Sequence, residues 1–323
     1  MKNENRRKNL YALVFGCACA LTLLLAAEGM VRALVPRITA QGLDQDLFCD
    51  SLFAASPGWC PGSAGVCFGK TVRIDQNGYR AIAAPDNTSV SWLLLGDSVT
   101  FGIAVETDGT FAGMLQRAHP DAAIRNSAVV AYKTVDYHAI LPRLLSRHGD
   151  AARVILFYTL NDIYNRDQSQ VKTEIKNPIM SLLRKHSRLY VFLKSAISDR
   201  SKAYFTNDYR RYDDGHLDDI DTTAAMISSM NARLDSAGID FLVVLLPYEY
   251  QIRKADRPAL RRPQRLMHSR LTGLGVPCID LFDDLRNACP RSKDCYLYGD
   301  GIHFSAKGHR AVFEAVEKQL ALP

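Results

Sequence analysis

The chain has 323 residues, of which 47% are hydrophobic and 23% are charged. This composition is typical of a globular protein with enough apolar residues for one substantial α/β core. The formal net charge of +6 is partly concentrated in the first eight residues, and the other basic residues alternate with acidic ones. A nucleic-acid-binding protein would show a concentrated basic face, so we exclude that class.

An uncharged segment follows the basic start. Leu10–Ala27 carries no charge and is long enough to span a bilayer. Basic residues before a span favour the cytoplasmic side, so residues 1–9 are predicted to be a cytoplasmic tail and the rest of the chain to be exported. We expect a single signal-anchor helix over residues 10–35, with the catalytic domain outside the cytoplasm, or in the periplasm of a Gram-negative cell.

The alternative to an uncleaved anchor is a signal peptide that is removed. Cleavage needs small residues at the site, and Ala26-Ala27 is a poor site because Glu28 follows it. A mostly apolar stretch also resumes from Met30 to Val35. These features favour the uncleaved anchor.

Six of the eight cysteines lie outside this segment, in a compartment that permits disulfides. Two pairs are close in sequence, and they predict local bridges between Cys60 and Cys67 and between Cys289 and Cys295. Cys278 lies in an apolar run and is also interpretable as a small buried hydrophobic residue. No cysteine spacing resembles a zinc site, and we expect no metal.

Residues 36–90 are rich in Pro, Gly and Ser and are predicted to form a stalk and collar that packs on the sheet. Within them, Thr71–Arg80 has the pattern of a short strand that enters an Asn-Gly turn.

Residues 91–323 alternate strand and helix patterns, which predicts a parallel sheet with helices on both faces. The predicted strands are Trp92–Leu95, Ala123–Asn126, Val154–Tyr158, Phe241–Leu246 and Cys278–Leu281. The predicted helices are Phe111–Arg117, Val135–Arg147, Thr222–Ala237, Pro258–Leu274 and Ser305–Leu320. Five strands in this rhythm predict a flavodoxin-like three-layer α/β/α sandwich, in which the first and third strands flank a ligand crevice.

Residues 163–220 interrupt this rhythm as an insertion. They contain an amphipathic candidate helix, Pro178–Ile197, in which basic residues accompany a strong apolar stripe. We expect this helix to cover an edge of the sheet, and a membrane-facing or lid role is the alternative.

Polar residues follow the strands where a ligand would bind. Gly96-Asp97-Ser98 ends the first strand and presents a serine at the carboxyl edge of the sheet. A nucleophilic serine needs a nearby base, and an imidazole base needs an acceptor that fixes its tautomer. Asp300-Gly301-Ile302-His303, at the turn into the final helix, supplies both groups. We therefore predict Ser98, His303 and Asp300 as nucleophile, base and orienting carboxylate.

With these blocks in order, the chain resembles the SGNH hydrolases, also called the GDSL esterase family. Gly96-Asp97-Ser98 matches the first block, Thr159-Leu160-Asn161-Asp162 stands where the family has Gly-x-Asn-Asp, and Asp300 with His303 matches the fifth block. In the second block, Asn126 is present but Ala131 replaces a glycine. The resemblance implies an oxyanion hole made of the Ser98 and Ala131 N–H groups and the Asn161 side chain. His309, in the final helix, is predicted to be a helix-surface residue and not the base.

The resemblance implies acyl transfer without a metal or organic cofactor. We expect an exported serine esterase that acts on an ester substrate, with small O-acyl groups of cell-envelope or extracellular glycans as the expected class. An O-acyltransferase with the same triad, a lipase or thioesterase, and a catalytically silent glycan-binding protein are the alternatives. The N-terminal helix is expected to contact the membrane, and the sequence leaves the oligomeric state open.

Overall fold

The computed structural model describes residues 2–53, 56–83, 85, 88–164 and 178–321. The chain begins with a long helix, α1 (Lys2–Leu34). Within the described ranges, this is the one helix whose length and apolar composition suit a membrane span, and none of its most apolar window is buried against the rest of the protein. A signal sequence near the amino terminus has the same properties.

Two antiparallel hairpins follow α1 in the predicted collar: β1 (Phe48–Phe53) with β2 (Ser56–Trp59), and β3 (Ala64–Cys67) with β4 (Lys70–Arg73). After β4, Asn77 and Gly78 form the expected turn, with Gly78 at φ +80°.

One of the two predicted disulfides is confirmed, and the other is wrong. Cys289 is bonded to Cys295. Cys60 is bonded to Cys49, not to Cys67, because the β1–β2 hairpin brings the Cα atoms of Cys49 and Cys60 to 5.0 Å. Cys67 and Cys278 are both unbonded, and Cys67 is buried in the core.

The central sheet contains five parallel strands: β5 (Val90–Leu95), β6 (Ala122–Asn126), β7 (Ala151–Tyr158), β8 (Asp240–Leu245) and β9 (Cys278–Asp280). Their order is β6-β5-β7-β8-β9, so β5 and β7 are neighbours at the point where the strand order reverses. All five predicted strands and the flavodoxin-like order are confirmed. The strands read as continuous apolar runs because helices cover both faces of the sheet.

The remaining helices are α2 (Ser98–Phe101), α3 (Phe111–Ala118), α4 (Thr134–Arg147), α5 (Pro178–His186), α6 (Arg188–Ile197), α7 (Arg200–Tyr209), α8 (Leu217–Ser236), α9 (Glu249–Arg253), α10 (Arg262–Gly273), α11 (Phe282–Ala288) and α12 (Ala306–Leu320). Two buried apolar clusters lie on opposite sides of the sheet. One contains side chains of α4, α8 and α10, and the other contains side chains of α3, α11 and α12. This arrangement confirms the three-layer sandwich.

The insertion differs from its prediction. Residues 165–177 lie outside the described residues, and the single helix predicted over Pro178–Ile197 is two helices, α5 and α6. The break falls at Ser187, whose hydroxyl caps α6 by accepting a hydrogen bond from the N–H of Tyr190 at 3.0 Å. The main contacts of α6 are with α1, not with an edge of the sheet.

Candidate active site

The predicted nucleophile lies at the sharp turn between β5 and α2. Gly96 has φ +155°, and a Cβ at this position would lie 2.0 Å from the hydroxyl oxygen of Thr100, so only glycine fits. The carboxylate of Asp97 accepts a hydrogen bond from the N–H of Val99 at 2.8 Å and caps α2. Ser98 is the first residue of α2 and is 9% exposed at the carboxyl edge of the sheet.

Ser98 is hydrogen-bonded to a histidine from the other end of the chain. The distance from Ser98 Oγ to His303 Nε2 is 2.8 Å, and the distance from His303 Nδ1 to Asp300 Oδ1 is 2.9 Å. The same carboxylate oxygen accepts hydrogen bonds from the N–H groups of Ile302 and His303, each at 2.9 Å. Three donors therefore fix the Asp300 carboxylate. Asp300 in turn orients the imidazole of His303 so that Nε2 is directed at the Ser98 hydroxyl.

The electrostatics of this pair favour a charged carboxylate beside a basic imidazole. Burial on its own would raise the pKa of Asp300, but the charge and hydrogen bonds of His303 lower that pKa to about 2. For His303, burial acts to lower the pKa, and the attraction of Asp300 outweighs it, so that the pKa is raised. The imidazole is thus a stronger base than an isolated histidine.

The sequence predicts that two backbone amides, those of Ser98 and Ala131, belong to the oxyanion hole. Ala131 has φ +68°, in the left-handed region that favours glycine, so its backbone has the conformation expected of the glycine that it replaces. Among the described residues, the N–H groups of Ser98 and Ala131 donate to no other backbone carbonyl. Both amides are therefore available to a ligand.

Asn161, the third predicted oxyanion donor, lies on the short 3₁₀ turn Leu160–Asp162 after β7. Its Nδ2 donates to Asp97 Oδ2 at 3.1 Å, and its Oδ1 accepts from the hydroxyls of Thr159 at 2.6 Å and Tyr248 at 2.9 Å. These acceptor contacts fix the direction of the amide. Because an amide nitrogen carries two hydrogens, one remains for an oxyanion.

Thr159 and Tyr248 hold Asn161, and the sequence did not identify this role for either residue. Thr159 occupies the glycine position of the block, and its hydroxyl binds the asparagine that it precedes. The Tyr248 phenol also contacts Asp208 Oδ2 at 2.8 Å. Burial raises the pKa of Asp208. The one sequence signal for Tyr248 was its place just after a buried strand.

A second buried carboxylate lies under the same turn. Asp162 accepts hydrogen bonds from the N–H of Thr159 at 2.8 Å and from the phenol of Tyr137 at 3.0 Å. Burial, together with the nearby charge of Asp97, raises the pKa of Asp162 well above its ordinary value. Asp162 therefore supports the turn that carries Asn161 through these two hydrogen bonds.

The collar supports the loops of the site. Arg80 is fully buried, and its guanidinium donates to the carbonyls of Phe101 and Gly102 at 2.6 Å each and to the carbonyl of Val105. Burial lowers the pKa of Arg80 to about 10. Trp59 stacks on Phe101 and donates from Nε1 to the carbonyl of Ala128 at 2.8 Å. The predicted collar therefore packs on the segments that follow β5 and β6, and the sequence did not identify Arg80 and Trp59 as the residues that make these contacts.

The predicted surface position of His309 is wrong. His309 is buried between Phe111 and Phe304, and its Nδ1 accepts a hydrogen bond from the N–H of Phe111 at 3.4 Å. Burial lowers the pKa of His309 to about 3, so this imidazole is neutral. The first turn of α12 packs against α3, so His309 is buried although the sequence predicted it on the helix surface. Within the described part of the chain, no three His, Cys, Asp or Glu side chains are grouped as a metal site would require.

Comparison with known proteins shows the family. The GDSL-like lipase/acylhydrolase family matches residues 94–311, about two thirds of the chain, from β5 into α12. The chain belongs to this family. This GDSL hydrolase has no match among curated proteins.

Solved structures that are similar to this GDSL hydrolase are distant in sequence. TesA shares 15% identity with a TM-score of 0.44 and covers 72% of this chain and 98% of its own. A lipase/acylhydrolase from Enterococcus faecalis shares 15% identity with a TM-score of 0.42, covering 72% of this chain and 95% of its own. An acetyl xylan esterase from Geobacillus stearothermophilus shares 14% identity with a TM-score of 0.45, covering 73% of this chain and 96% of its own.

Proposed function

We propose that this GDSL hydrolase is an extracytoplasmic serine esterase, held to a membrane by α1, that removes small O-acyl groups from cell-envelope or extracellular glycans. The observation that carries the catalytic part of the proposal is the chain of hydrogen bonds from Ser98 through His303 to Asp300. The three groups have the connectivity that a serine nucleophile needs.

The proposed reaction proceeds through an acyl-enzyme. Ser98 Oγ attacks the ester carbonyl while His303 Nε2 accepts its proton, and Asp300 stabilises the imidazolium that forms. His303 then gives this proton to the leaving alcohol as the bond between the carbonyl carbon and that alcohol breaks. In the second half, His303 accepts a proton from water, the hydroxide attacks the acyl carbon, and Ser98 takes the proton back on release of the acid.

The charge that develops on the carbonyl oxygen is the second requirement of this reaction. We assign its stabilisation to the N–H groups of Ser98 and Ala131 and to the amide of Asn161. Each such donor contributes on the order of 3 kcal/mol in the transition state. These donors are fixed before the substrate arrives, because Ala131 is held in the left-handed conformation and Asn161 is held by Thr159 and Tyr248.

The proposed organisation is a cytoplasmic tail at residues 1–9, a signal anchor at 10–35, a collar at 36–90 and a hydrolase domain at 91–323 with an insertion at about 163–220. The preference for small acyl groups is supported by Ala131, which has a methyl group at a position where the family has glycine beside the predicted oxyanion hole. The glycan part of the proposal is supported by the extracytoplasmic placement that the basic residues before α1 predict.

The test compares hydrolysis of p-nitrophenyl acetate, butyrate and octanoate by the full chain in detergent, with Ser98→Ala as the matched control. We expect turnover that depends on Ser98 and decreases as the acyl chain lengthens. Faster turnover of octanoate would instead indicate a lipase or thioesterase. Turnover that requires an added sugar acceptor would indicate an O-acyltransferase, and equal rates for the parent and Ser98→Ala would overturn the nucleophile.

A further inference from the structure

The two helices of the insertion, α5 and α6, meet at Ser187, and there the pair is fastened to the end of α1. We call residues 178–197 the α5–α6 hairpin. Glu28 of α1 accepts hydrogen bonds from the Ser187 hydroxyl at 2.8 Å and from the N–H groups of Arg188 and Leu189 at 2.9 Å each. These are the free donors at the start of α6, so a side chain of α1 caps α6.

Two further contacts make this attachment rigid. Arg32 pairs with Glu28 at 2.8 Å and donates to the carbonyl of His186, the last residue of α5, at 2.9 Å. Val31 of α1 and Val191 of α6 are buried against each other in a small apolar cluster with Ile38. The hairpin therefore has a fixed position relative to the axis of α1.

This attachment sets the height of the hairpin relative to the proposed membrane. The uncharged segment of α1 ends at Ala27, and Glu28 is the first charged residue after it. A carboxylate with an arginine partner is costly inside the hydrocarbon and is favourable at its edge. Within the anchor at residues 10–35, only the uncharged segment Leu10–Ala27 is placed in the hydrocarbon, so Glu28 and the start of α6 that it caps lie at the edge of the hydrocarbon.

The hairpin exposes large apolar side chains at this level. Outside α1, the described residues include nine exposed large hydrophobic side chains, and six of them belong to the hairpin. The six are Ile179, Met180, Leu182, Leu183, Leu193 and Ile197. Leu182 is 61% exposed and Ile197 is 85% exposed, which is costly in water and favourable at a lipid surface.

The charges of the hairpin also fit a lipid surface. Residues 178–197 contain no Asp or Glu, and their basic residues are Arg184, Lys185, Arg188 and Lys194. An amphipathic helix that lies in a bilayer interface has this combination of apolar side chains with Lys and Arg. Lys185 is already paired with Asp44 of the collar at 2.8 Å, and anionic phospholipid headgroups complement the other basic side chains.

From these contacts we propose that the α5–α6 hairpin lies in the interface of the bilayer that α1 crosses, with its apolar side chains among the acyl chains and its basic side chains at anionic headgroups. This inference rests on the proposed anchoring by α1. The hairpin also reaches the catalytic loop, because Phe192 of α6 stacks on Tyr298 with their ring centroids 6.4 Å apart. Tyr298 lies two residues before Asp300, so the hairpin holds the Asp300–His303 loop close to the membrane.

The test is quenching of an introduced tryptophan by phospholipids that carry bromine on the acyl chains near the headgroup. The full chain is reconstituted in vesicles of phosphatidylcholine and phosphatidylglycerol, with or without the brominated lipid. The hairpin probes are Leu182→Trp and Leu193→Trp, with Ile197→Trp as the replacement if one of them does not fold. Trp59 and Trp92 are buried in the domain, so the parent protein supplies the background signal.

Two matched controls frame the result. The first control is Leu274→Trp, at a leucine that is 50% exposed, directly after α10 and away from the hairpin. The second control is Phe15→Trp, at a position within α1. We expect the added fluorescence of the hairpin probes to fall by about half in brominated lipid, as for a side chain in the interface, and that of Leu274→Trp to remain unchanged.

The outcomes separate the two proposals. Quenching of Phe15→Trp without quenching of the hairpin probes would overturn the interfacial position of the hairpin and leave the anchor intact. An unquenched Phe15→Trp would overturn the anchoring itself, and the position of the hairpin with it. Equal quenching of Leu274→Trp and the hairpin probes would also overturn the proposal, because the signal would then not depend on position.

Discussion

Asp300 and Asp162 are two buried carboxylates in turns that carry predicted catalytic groups, and their pKa values are shifted in opposite directions. Asp300 faces His303 and backbone donors, and its pKa is lowered to about 2. Asp162 faces a phenol, one amide and a second carboxylate, and its pKa is raised well above the ordinary value. Burial raises the pKa in both cases, so the neighbouring groups decide the net direction: His303 and its hydrogen bonds lower the pKa of Asp300, and the charge of Asp97 raises that of Asp162 further.

The difference separates a chemical role from a structural one. A permanent negative charge at Asp300 stabilises the imidazolium that the proposed reaction forms at His303. Asp162 holds Thr159 and Tyr137 by hydrogen bonds, and its raised pKa reflects the cost of a second charge next to Asp97. The same residue type therefore serves the proposed chemistry in one turn and the position of Asn161 in the other.

The largest expected effect is that of Asp300→Asn. An amide cannot stabilise the imidazolium and favours the wrong imidazole tautomer, so we expect kcat for p-nitrophenyl acetate to fall by about 10⁴-fold. The matched control is Asp162→Asn. If Asp300→Asn kept near-parental kcat, Asp300 would not be the orienting carboxylate.

The next effect is that of Asn161→Ala, which removes a proposed oxyanion donor without touching the triad. We expect kcat to fall by about 10²–10³-fold while KM changes little, because the lost hydrogen bond is made mainly in the transition state. Steady-state kinetics on p-nitrophenyl acetate measure both constants. A raised KM with unchanged kcat would instead assign Asn161 to substrate binding.

The pH dependence of kcat/KM tests the predicted electrostatic coupling between Asp300 and His303. A protonated His303 cannot accept the Ser98 proton, so kcat/KM should fall about tenfold per pH unit below the pKa of His303. Because Asp300 raises that pKa above 6.5, we expect the midpoint of this acidic limb to lie above 6.5. In Asp300→Asn, the limb of the residual activity should move to lower pH. Identical midpoints in both proteins would contradict the coupling.

The smallest expected effect is that of Asp162→Asn. A carboxyl group whose pKa is raised on folding contributes stability below its unfolded pKa, and this contribution is lost as the pH rises through the folded pKa. Asparagine does not ionise, so at neutral pH the variant should be as stable as the parent or more stable, with similar kcat. Thermal unfolding across pH checks this, and a large loss at pH 7 would show that the ionised form is needed.

The sequence predicted most of the fold because strand and helix signals are local. The five strands end where their apolar runs end, and the strand order follows from the alternation with helices. Ser98, Asp300 and His303 were predictable because each belongs to a short block at a strand end or helix start. The hydrogen-bond distances between them and the directions of their pKa shifts depend on the folded structure and could not be predicted.

The rest depends on contacts between distant parts of the chain. Cys60 bonds to Cys49 because of the pairing of two short strands, and closeness in sequence pointed to Cys67 instead. Helices α5 and α6 separate at Ser187 because Glu28, far away in the chain, caps α6. Tyr248 binds Asn161, and Arg80 binds the carbonyls of the segment after β5. These partners are distant in the sequence, so no local pattern predicts the contacts.

Arg80 has a consequence for how the chain can be shortened. The family match starts at residue 94, and a fragment cut there would keep every predicted catalytic residue. It would also remove the guanidinium that binds the carbonyls of Phe101, Gly102 and Val105, leaving three buried acceptors without their donor. The region that is similar to the family is therefore shorter than the region that must fold as a unit in this protein. A truncated enzyme should begin before the collar.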